Sequence, residues 1–276
     1  MLRLLSIEFY KLKYNRASKV LTLIYFGLLT SIAFLITLKI DLGPIQLNIA
    51  EQGIFDFPYI WHFNTYVAAG FKFFLLLVIV SMVANEYANK TLKQNLIDGL
   101  SKQEYILSKF YMVAAMSLAS TIFVLIVSLI LGFSYAAEIS TSLIFSDLDY
   151  FVAFFVKLLS FFSFGLFLGV LIKRSAFAIG GMVVWYILEN IIEAVLYSYL
   201  SERTASFMSS ILPLNSSEAL IPSPFLRMET LKTISAQLGT EIGSDYSVPF
   251  LSLIVSLCWS LIFAYGAFFL IKKRDL

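Results

Sequence analysis

Six apolar runs, each about as long as a membrane span, constrain this chain more than any other feature of its sequence. They cover residues 20–38, 66–84, 111–133, 151–172, 176–200 and 249–271. A helix needs about twenty apolar residues to cross roughly 30 Å of hydrocarbon. The sequence therefore predicts an all-α membrane protein with six transmembrane helices in a single domain that spans residues 1–276.

The composition supports this class and excludes several kinds of chemistry. Hydrophobic residues make up 59% of the chain and charged residues only 14%, whereas soluble domains carry about 25% charge. His62 and Cys258 are the only histidine and cysteine, so a disulfide within the chain is impossible and a histidine- or cysteine-based metal site has too few ligands. The sequence contains no phosphate-loop motif. We therefore expect no metal site, no cofactor and no enzymatic activity in this chain.

The distribution of basic residues predicts which way the spans run. Six spans place both termini on one side of the membrane, and loops on the cytoplasmic side carry an excess of Lys and Arg. With the termini in the cytoplasm, the outer loops hold only Lys39, Arg203, Arg227 and Lys232. The inner segments then hold Arg3, Lys11, Lys13, Arg16, Lys19, Lys90, Lys93, Lys102, Lys109, Lys173, Arg174, Lys272, Lys273 and Arg274. The sequence thus predicts an N-in, C-in topology. A net charge of +2 gives no reason to expect nucleic acid as a partner.

Residues 1–19 have the pattern of an amphipathic helix that lies in the membrane interface. Leu2, Leu5, Phe9 and Leu12 share one helical face, and basic side chains surround the other faces. The alternative is an ordinary basic flank of the first span, because Arg16 falls on the apolar side.

Residues 201–248 form a long segment on the predicted outer side. Pro213, Pro222 and Pro224 prevent one continuous helix there. The segment is nevertheless too apolar for a plain solvated loop. We expect short surface or re-entrant helices that return to the bilayer and cover the extracytoplasmic side.

The polar stretch at residues 86–109 interrupts the apolar runs and contains capping residues that predict two short helices. Gly99 is placed to end the first helix in a left-handed turn. Ser101 and Glu104 have the spacing of a capping box that begins the second. Leu92 and Leu96 would give the first helix an apolar side. This pattern favours a docking element over the alternative, a solvated loop.

Four charged residues fall inside the predicted spans, where ionisable groups are costly and often functional. Glu189 and Glu193 lie four residues apart in the fifth span, and Lys72 and Lys157 reach a similar depth in the second and fourth. Our hypothesis is that Glu189 pairs with Lys72 or Lys157 and forms an outer gate or lines a path. In the alternative, the lysines extend outward to the interface and Glu193 is simply interfacial.

The stretch at residues 86–109 also resembles a segment of the ABC-2 type permeases, the transmembrane subunits of ATP-binding cassette exporters. Members commonly show a Glu leaving the second span, a Thr-Leu-basic step, a break, and a helix that ends in Lys. The matching residues here are Glu86, Thr91-Leu92-Lys93, Gly99–Ser101 and Lys109. Lys90 stands where members often have Gly, and the Pro often found at the break is missing. The layout of six spans and a basic C-terminus is similar over the whole length.

The resemblance implies a permease that pairs with a second copy, preferably as a homodimer rather than a heterodimer, in a bacterial cytoplasmic membrane. A separate cytoplasmic ATPase, with its ATP and magnesium, would bind the coupling segment at residues 85–110, and the N-terminal helix would also contact it. The second and fifth spans would lie near the dimer interface and the path. The residues expected to couple to the ATPase are Glu86, Thr91, Leu92, Leu96, Gly99, Ser101, Glu104 and Lys109.

Two rival functions use the same residues differently. An ion-coupled carrier or channel would use Glu189 and Glu193 as titrating groups and would need no docking surface. A non-transporting membrane anchor or immunity component would need neither the carboxylates nor the helix caps. The apolar, aromatic interior suits a lipid, a peptide or a hydrophobic drug equally well.

Overall fold

The computed structural model of the chain describes residues 2–37, 40–42, 45–47, 53–227 and 246–274. These residues are helical except for turns and one small hairpin, in which β1 (Ile40–Leu42) pairs antiparallel with β2 (Ile45–Leu47). The helices are α1 (Leu2–Tyr14), α2 (Arg16–Thr37), α3 (Tyr59–Gly70), α4 (Lys72–Ala88), α5 (Thr91–Ile97), α6 (Lys102–Tyr135), α7 (Thr141–Phe145), α8 (Asp149–Ile172), α9 (Ser175–Tyr199), α10 (Glu202–Ser209), α11 (Pro213–Glu218) and α12 (Phe250–Lys273).

The predicted helical membrane fold is confirmed in outline. Five segments of the described chain are long and apolar enough to cross a membrane, namely α2, α6, the stretch from α7 through α8, α9 and α12. The pair α3 and α4 passes the same test as one bent segment, which raises the number to six. Each of the six predicted runs overlaps one of these segments.

The second predicted span is not one straight helix. The run at residues 66–84 begins inside α3 and ends inside α4, and the two helices meet at Phe71 with a bend of 45°. Gly70, the last residue of α3, is a weak helix former, which favours a break at this point. The bend places Lys72 in the first turn of α4, directly after the break.

Helix α8 forms the centre of the bundle and contacts α3, α4, α6, α9, α11 and α12. Most of its residues are buried, and serine and glycine recur among them. Gly165 allows the close approach of α4, because a Cβ atom added there would overlap Cδ1 of Leu76. Small residues at such crossings are typical of packed membrane helices.

The start of α1 and the end of α12 lie at one end of the bundle, which we call the terminal end. Arg3, in α1, lies 3.4 Å from the carboxylate of Glu104 in the first turn of α6. Lys102, in the same turn, donates a 2.8 Å hydrogen bond to the backbone oxygen of Arg274 after α12. One helical turn therefore holds the start and the end of the described chain together, as six spans require.

The other end of the bundle, which we call the far end, contains the short helices that follow α9. The segment after α9 folds into α10, α11 and a 3₁₀ turn at Phe225–Arg227. Short helices in this region agree with the proline pattern, and their place relative to a bilayer stays a prediction. The remainder of the predicted outer region, residues 228–245, lies outside the described residues.

Candidate functional site

The turn between α5 and α6 has the two caps that the sequence predicts. Gly99 adopts a left-handed φ of 98°, and its N–H and that of Leu100 donate to the carbonyl oxygens of Leu96 and Asn95, respectively. This pair of bonds is a Schellman motif. Ser101 and Glu104 form a complete capping box at the start of α6. The turn is therefore held by backbone hydrogen bonds on the α5 side and by bonds between side chains and backbone on the α6 side.

The residue that precedes α5 has a backbone conformation that glycine adopts more readily than other residues. Lys90 adopts φ 56°, in the left-handed region. Glycine enters that region without the steric cost that a Cβ atom brings. The chain thus keeps a conformation suited to glycine at the position where the resembling permeases often have it.

The apolar residues of α5 lie on two different sides of the helix, one toward the bundle and one toward the outside. Leu92 is buried against the bundle, Leu96 is half-buried, and Ile97 is 75% exposed. Thr91 begins the helix and lies 3.5 Å from the backbone oxygen of Glu86. One apolar residue thus anchors α5 to the protein and another faces away from it at the terminal end.

Behind this turn, four charged side chains form a compact set, which we call the four-charge cluster: Glu8, Lys11, Glu86 and Lys109. The ammonium group of Lys109 lies 2.6 Å from a carboxylate oxygen of Glu8 and 2.6 Å from one of Glu86. Lys11 lies 2.8 Å from Glu86 and 3.3 Å from Glu8. Two positive and two negative charges balance, so the cluster joins α1, α4 and α6 without a net charge.

Burial sets the energetics of the four-charge cluster. Lys109 and Glu8 are almost completely inaccessible to solvent, and Ser108 donates a further hydrogen bond to Glu8. Burial lowers the pKa of Lys11, but the carboxylates of Glu8 and Glu86 outweigh it, and the pKa of Lys11 lies above its ordinary value. The lysine therefore stays charged and helps to hold α1 against α4.

The sequence identified only half of this cluster. Glu86 and Lys109 were expected to couple to a partner, whereas Glu8 was not singled out and Lys11 counted only as part of a basic flank. Glu8 is the only acidic residue in α1. That isolated acid among basic neighbours was the available signal.

At the far end, Lys72 and Lys157, which we call the lysine pair, contact a carboxylate other than that of Glu189, so the predicted pairing with Glu189 is wrong. Lys72 and Lys157 both contact the carboxylate of Glu218, at the end of α11, and Lys157 does so at 2.8 Å. Neither lysine pairs with Glu189 among the described contacts. The reason is the fold of the segment after α9, which brings α11 back over the lysines.

Glu218 supplies the single negative charge of this site. Its side chain is 47% exposed, whereas that of Lys157 is only 2% exposed. Burial raises the pKa of the Glu218 carboxyl, but the two lysines outweigh it and lower the pKa to about 2. Glu218 is thus ionised at every physiological pH, and the three side chains carry one net positive charge.

Glu189 and Glu193 instead hold α11 in place. The carboxylate of Glu189 accepts hydrogen bonds from the backbone N–H groups of Leu214 and Asn215, at 3.0 and 2.9 Å, and one from the indole of Trp185. Glu193 accepts from the side-chain amide of Asn215 at 2.9 Å. A carboxylate at the start of a helix satisfies N–H groups that have no partner within it. No pattern in the sequence singled out Trp185.

A cavity of about 600 Å³ lies against the lysine pair. Residues of α3, α4, α8, α9 and α11 line it, and aromatic and aliphatic side chains make up most of the wall. Lys72, Lys157 and Glu218 are its charged residues. Of the four predicted path residues, Lys72 and Lys157 line this cavity. Glu189 lies beside it, because its carboxylate binds the backbone N–H of Leu214, which is part of the cavity wall.

Comparison with known proteins places the chain in a family. A search of curated proteins found no match. A family model described as "Protein of unknown function (DUF2705)" matches residues 48–276. The matched part includes Glu86, Lys109 and the lysine pair, whereas Glu8 and Lys11 precede it. Because the match covers well over half of the sequence, the chain belongs to the DUF2705 family of proteins of unknown function.

Proposed function

We propose that this protein is the permease subunit of an ABC exporter, which moves a substrate across or out of a bacterial cytoplasmic membrane. A separate cytoplasmic ATPase binds and hydrolyses ATP with magnesium and drives the movement. The permease acts as a dimer, preferably of two identical copies, and both of its termini face the cytoplasm. The chain itself contributes no catalytic residue.

The observation that carries the proposal is the doubly capped turn between α5 and α6. The Schellman motif and the capping box fix its shape, and Ile97 is exposed next to it. A rigid turn with an exposed apolar residue suits insertion into a groove on another protein, because little conformational freedom is lost on binding. The resemblance of residues 86–109 to a coupling segment supports the same role.

The four-charge cluster supports the transmission of movement from the docking turn, between α5 and α6, to the helices of the bundle. Glu86 lies near the end of α4, Lys109 lies in the second turn of α6, and Glu8 lies in α1. A push on the turn between α5 and α6 would therefore move three helices together rather than bend a loop. Buried ion pairs resist separation because each charge has lost its water.

The exposed face of α9, which lines the cavity, supports the proposal that a second copy packs against this helix. Only Ala178, Met182 and Glu189 of this helix are buried in the single chain. Its remaining apolar surface suits lipid or a second copy, and the proposal assigns part of it to the dimer. The lysine pair and Glu189 would then lie near the path between the two copies.

The carrier alternative draws on Glu189 and Glu193 as titrating groups. In the described contacts, Glu189 accepts three N–H donors and Glu193 accepts one. A carboxylate that holds a helix end would have to release it in every transport cycle. This engagement favours a positioning role for both residues and therefore favours the exporter.

Recovery of a partner ATPase tests the proposal. The tagged protein is purified in mild detergent from cells that also express a phosphate-loop ATPase chosen from the genes that neighbour its own. We expect the ATPase to co-purify, and we expect Ile97→Asp to reduce its recovery at least tenfold, because a buried charge at a docking contact costs more than 1.4 kcal/mol. Hydrolysis by the recovered complex is measured in parallel.

Phe207→Asp serves as the matched control, since Phe207 is 55% exposed on α10 at the far end. This variant should retain the ATPase at the wild-type level. Equal loss with both variants would point to a general defect in folding. A protein that transports normally with no ATPase present would refute the exporter.

A further inference from the structure

The lysine pair has more positive charge than its protein surroundings neutralise. Lys72 and Lys157 share one carboxylate, that of Glu218, and Lys157 also donates to the backbone oxygen of Glu218 at 3.2 Å. The Nζ atom of Lys72 lies 4.4 Å above the ring of Phe161. Two ammonium groups and one carboxylate leave a net charge of +1 on the wall of the cavity. A second anion would complete this site.

The rest of the cavity wall is apolar and continues to the outside of the bundle. Met182, Val183 and Tyr186 on α9 and Phe73 on α4 line the cavity together with the charged residues. Val183 is 44% exposed and Tyr186 is 51% exposed, so the cavity opens where α9 presents its apolar face. An occupant that enters from this side meets hydrocarbon before it meets the lysines.

We propose that this cavity binds an anionic amphiphile, which is a hydrocarbon chain that ends in a phosphate or carboxylate group. The head group lies between Lys72 and Lys157, the Glu218 carboxylate moves to the rim of the cavity as the second negative charge, and the chain lies along the apolar residues of α9. Glu218 can leave because its side chain is 47% exposed, and Lys157 then keeps its bond to the backbone oxygen. As the substrate class of the exporter this rests on the proposed function, although binding itself needs no ATPase.

The charges favour this ligand over the alternatives. A cationic amphiphile would meet two ammonium groups, and a neutral one would leave the excess charge uncompensated in an apolar wall. An anion without a chain would use the lysines but leave about 600 Å³ of apolar cavity unfilled. Only an anionic head on an apolar chain matches both parts of the site.

The test is a binding titration of radiolabelled dodecyl phosphate to the purified protein in phosphatidylcholine nanodiscs. Dodecylphosphocholine, with the same chain and a zwitterionic head, and inorganic phosphate, with no chain, serve as competitors. We expect unlabelled dodecyl phosphate to compete at least tenfold better than either. Lys72→Gln should weaken binding about tenfold through loss of one charge-assisted hydrogen bond, and Lys13→Gln, at an exposed position in α1, should leave it unchanged.

Glu218→Gln separates a ligand site from a structural ion cluster. If Glu218 occupies the head-group position, its neutralisation removes a competing anion, and dodecyl phosphate should bind several-fold more tightly. Unchanged or weaker binding in Glu218→Gln that unfolds at the wild-type temperature would overturn the proposal. Equal competition by dodecylphosphocholine or by inorganic phosphate would overturn it as well. Failure of a protein that forms the ATPase complex to bind dodecyl phosphate refutes only the ligand, whereas binding by a protein that recovers no ATPase in the co-purification refutes only the exporter.

Discussion

Lys109 has its ammonium group inside the protein, where two carboxylates, those of Glu8 and Glu86, each approach it to 2.6 Å. The side chain of Lys109 is fully buried, and those of Glu8 and Glu86 are only 1% and 7% exposed. Charges without water depend on one another, so the loss of one leaves its partners uncompensated. The stability of the terminal end should therefore depend on the balance of charge in this cluster.

Replacement of Lys109 by methionine tests that dependence. Methionine fills a similar volume but leaves two carboxylates with only Lys11 between them. We expect the free energy of unfolding to fall by about 3–5 kcal/mol, as for other broken buried ion pairs. Denaturant titration in detergent micelles, followed by tryptophan fluorescence, measures the change.

The double variant Glu8→Gln with Lys109→Met restores neutrality, because Glu86 and Lys11 remain 2.8 Å apart. It should lose less stability than Lys109→Met alone. Arg3→Met is the control for an exposed pair, since Arg3 is 73% exposed beside Glu104, and it should cost less than about 1 kcal/mol. Equal costs for Lys109→Met and Arg3→Met would contradict a structural role for the buried charges.

Single residues differ in how much of their role the sequence reveals. The caps at Gly99, Ser101 and Glu104 were predictable because their hydrogen bonds connect residues that are close in the chain. The partner of Lys72 was not, because Glu218 lies 146 positions away. Residue spacing gives the depth of a charge in its own helix but not the path of a distant segment that folds over it.

At the scale of helices, the crossing of α8 and α4 depends on Gly165. Leu76 of α4 is completely buried and packs where a Gly165 side chain would lie. Gly165→Leu should destabilise the protein by about 1–3 kcal/mol, the usual cost of an overfilled core. The measurement is the same denaturant titration in micelles.

Gly180→Leu is the matched control on α9, where an added Cβ atom meets no other atom within 4 Å. This substitution should be neutral, or slightly stabilising because glycine is a weak helix former. Leu76→Ala combined with Gly165→Leu should recover part of the lost stability. If Gly165→Leu proved as harmless as Gly180→Leu, close packing of α8 on α4 would be wrong.

The sequence predicted helices better than it predicted their junctions. Apolar runs of about twenty residues marked each spanning segment, because burial in hydrocarbon requires that length. The bend between α3 and α4 was missed, since both sides of Phe71 are equally apolar and the run continues through it. Apolar composition records what surrounds a helix, whereas a change in direction depends on what packs against it.

At the scale of the whole molecule, the two ends of the bundle differ in what they hold. The terminal end contains the start of α1, the end of α12, the turn between α5 and α6, and the four-charge cluster. The far end contains α10, α11 and the lysine pair. Basic residues predict that the terminal end faces the cytoplasm, and the proposed function requires it, because an ATPase could not otherwise reach the turn.

Cysteine labelling tests this orientation. The single native cysteine, Cys258, is exposed on α12 and is first replaced by serine. Lys93→Cys then marks α5 at the terminal end, and Glu202→Cys marks α10 at the far end; both positions are exposed. In intact cells, a membrane-impermeant maleimide should label Glu202→Cys at once and Lys93→Cys only after the membrane is opened.

The reversed result would have consequences beyond topology. Labelling of Lys93→Cys in intact cells would place the turn between α5 and α6 outside, beyond the reach of any cytoplasmic ATPase, and the exporter would have to be abandoned. The ligand proposal would survive that outcome, because the lysine pair and the apolar wall of the cavity are the same whichever side the far end faces. The labelling experiment thus tests the exporter proposal without testing the ligand proposal.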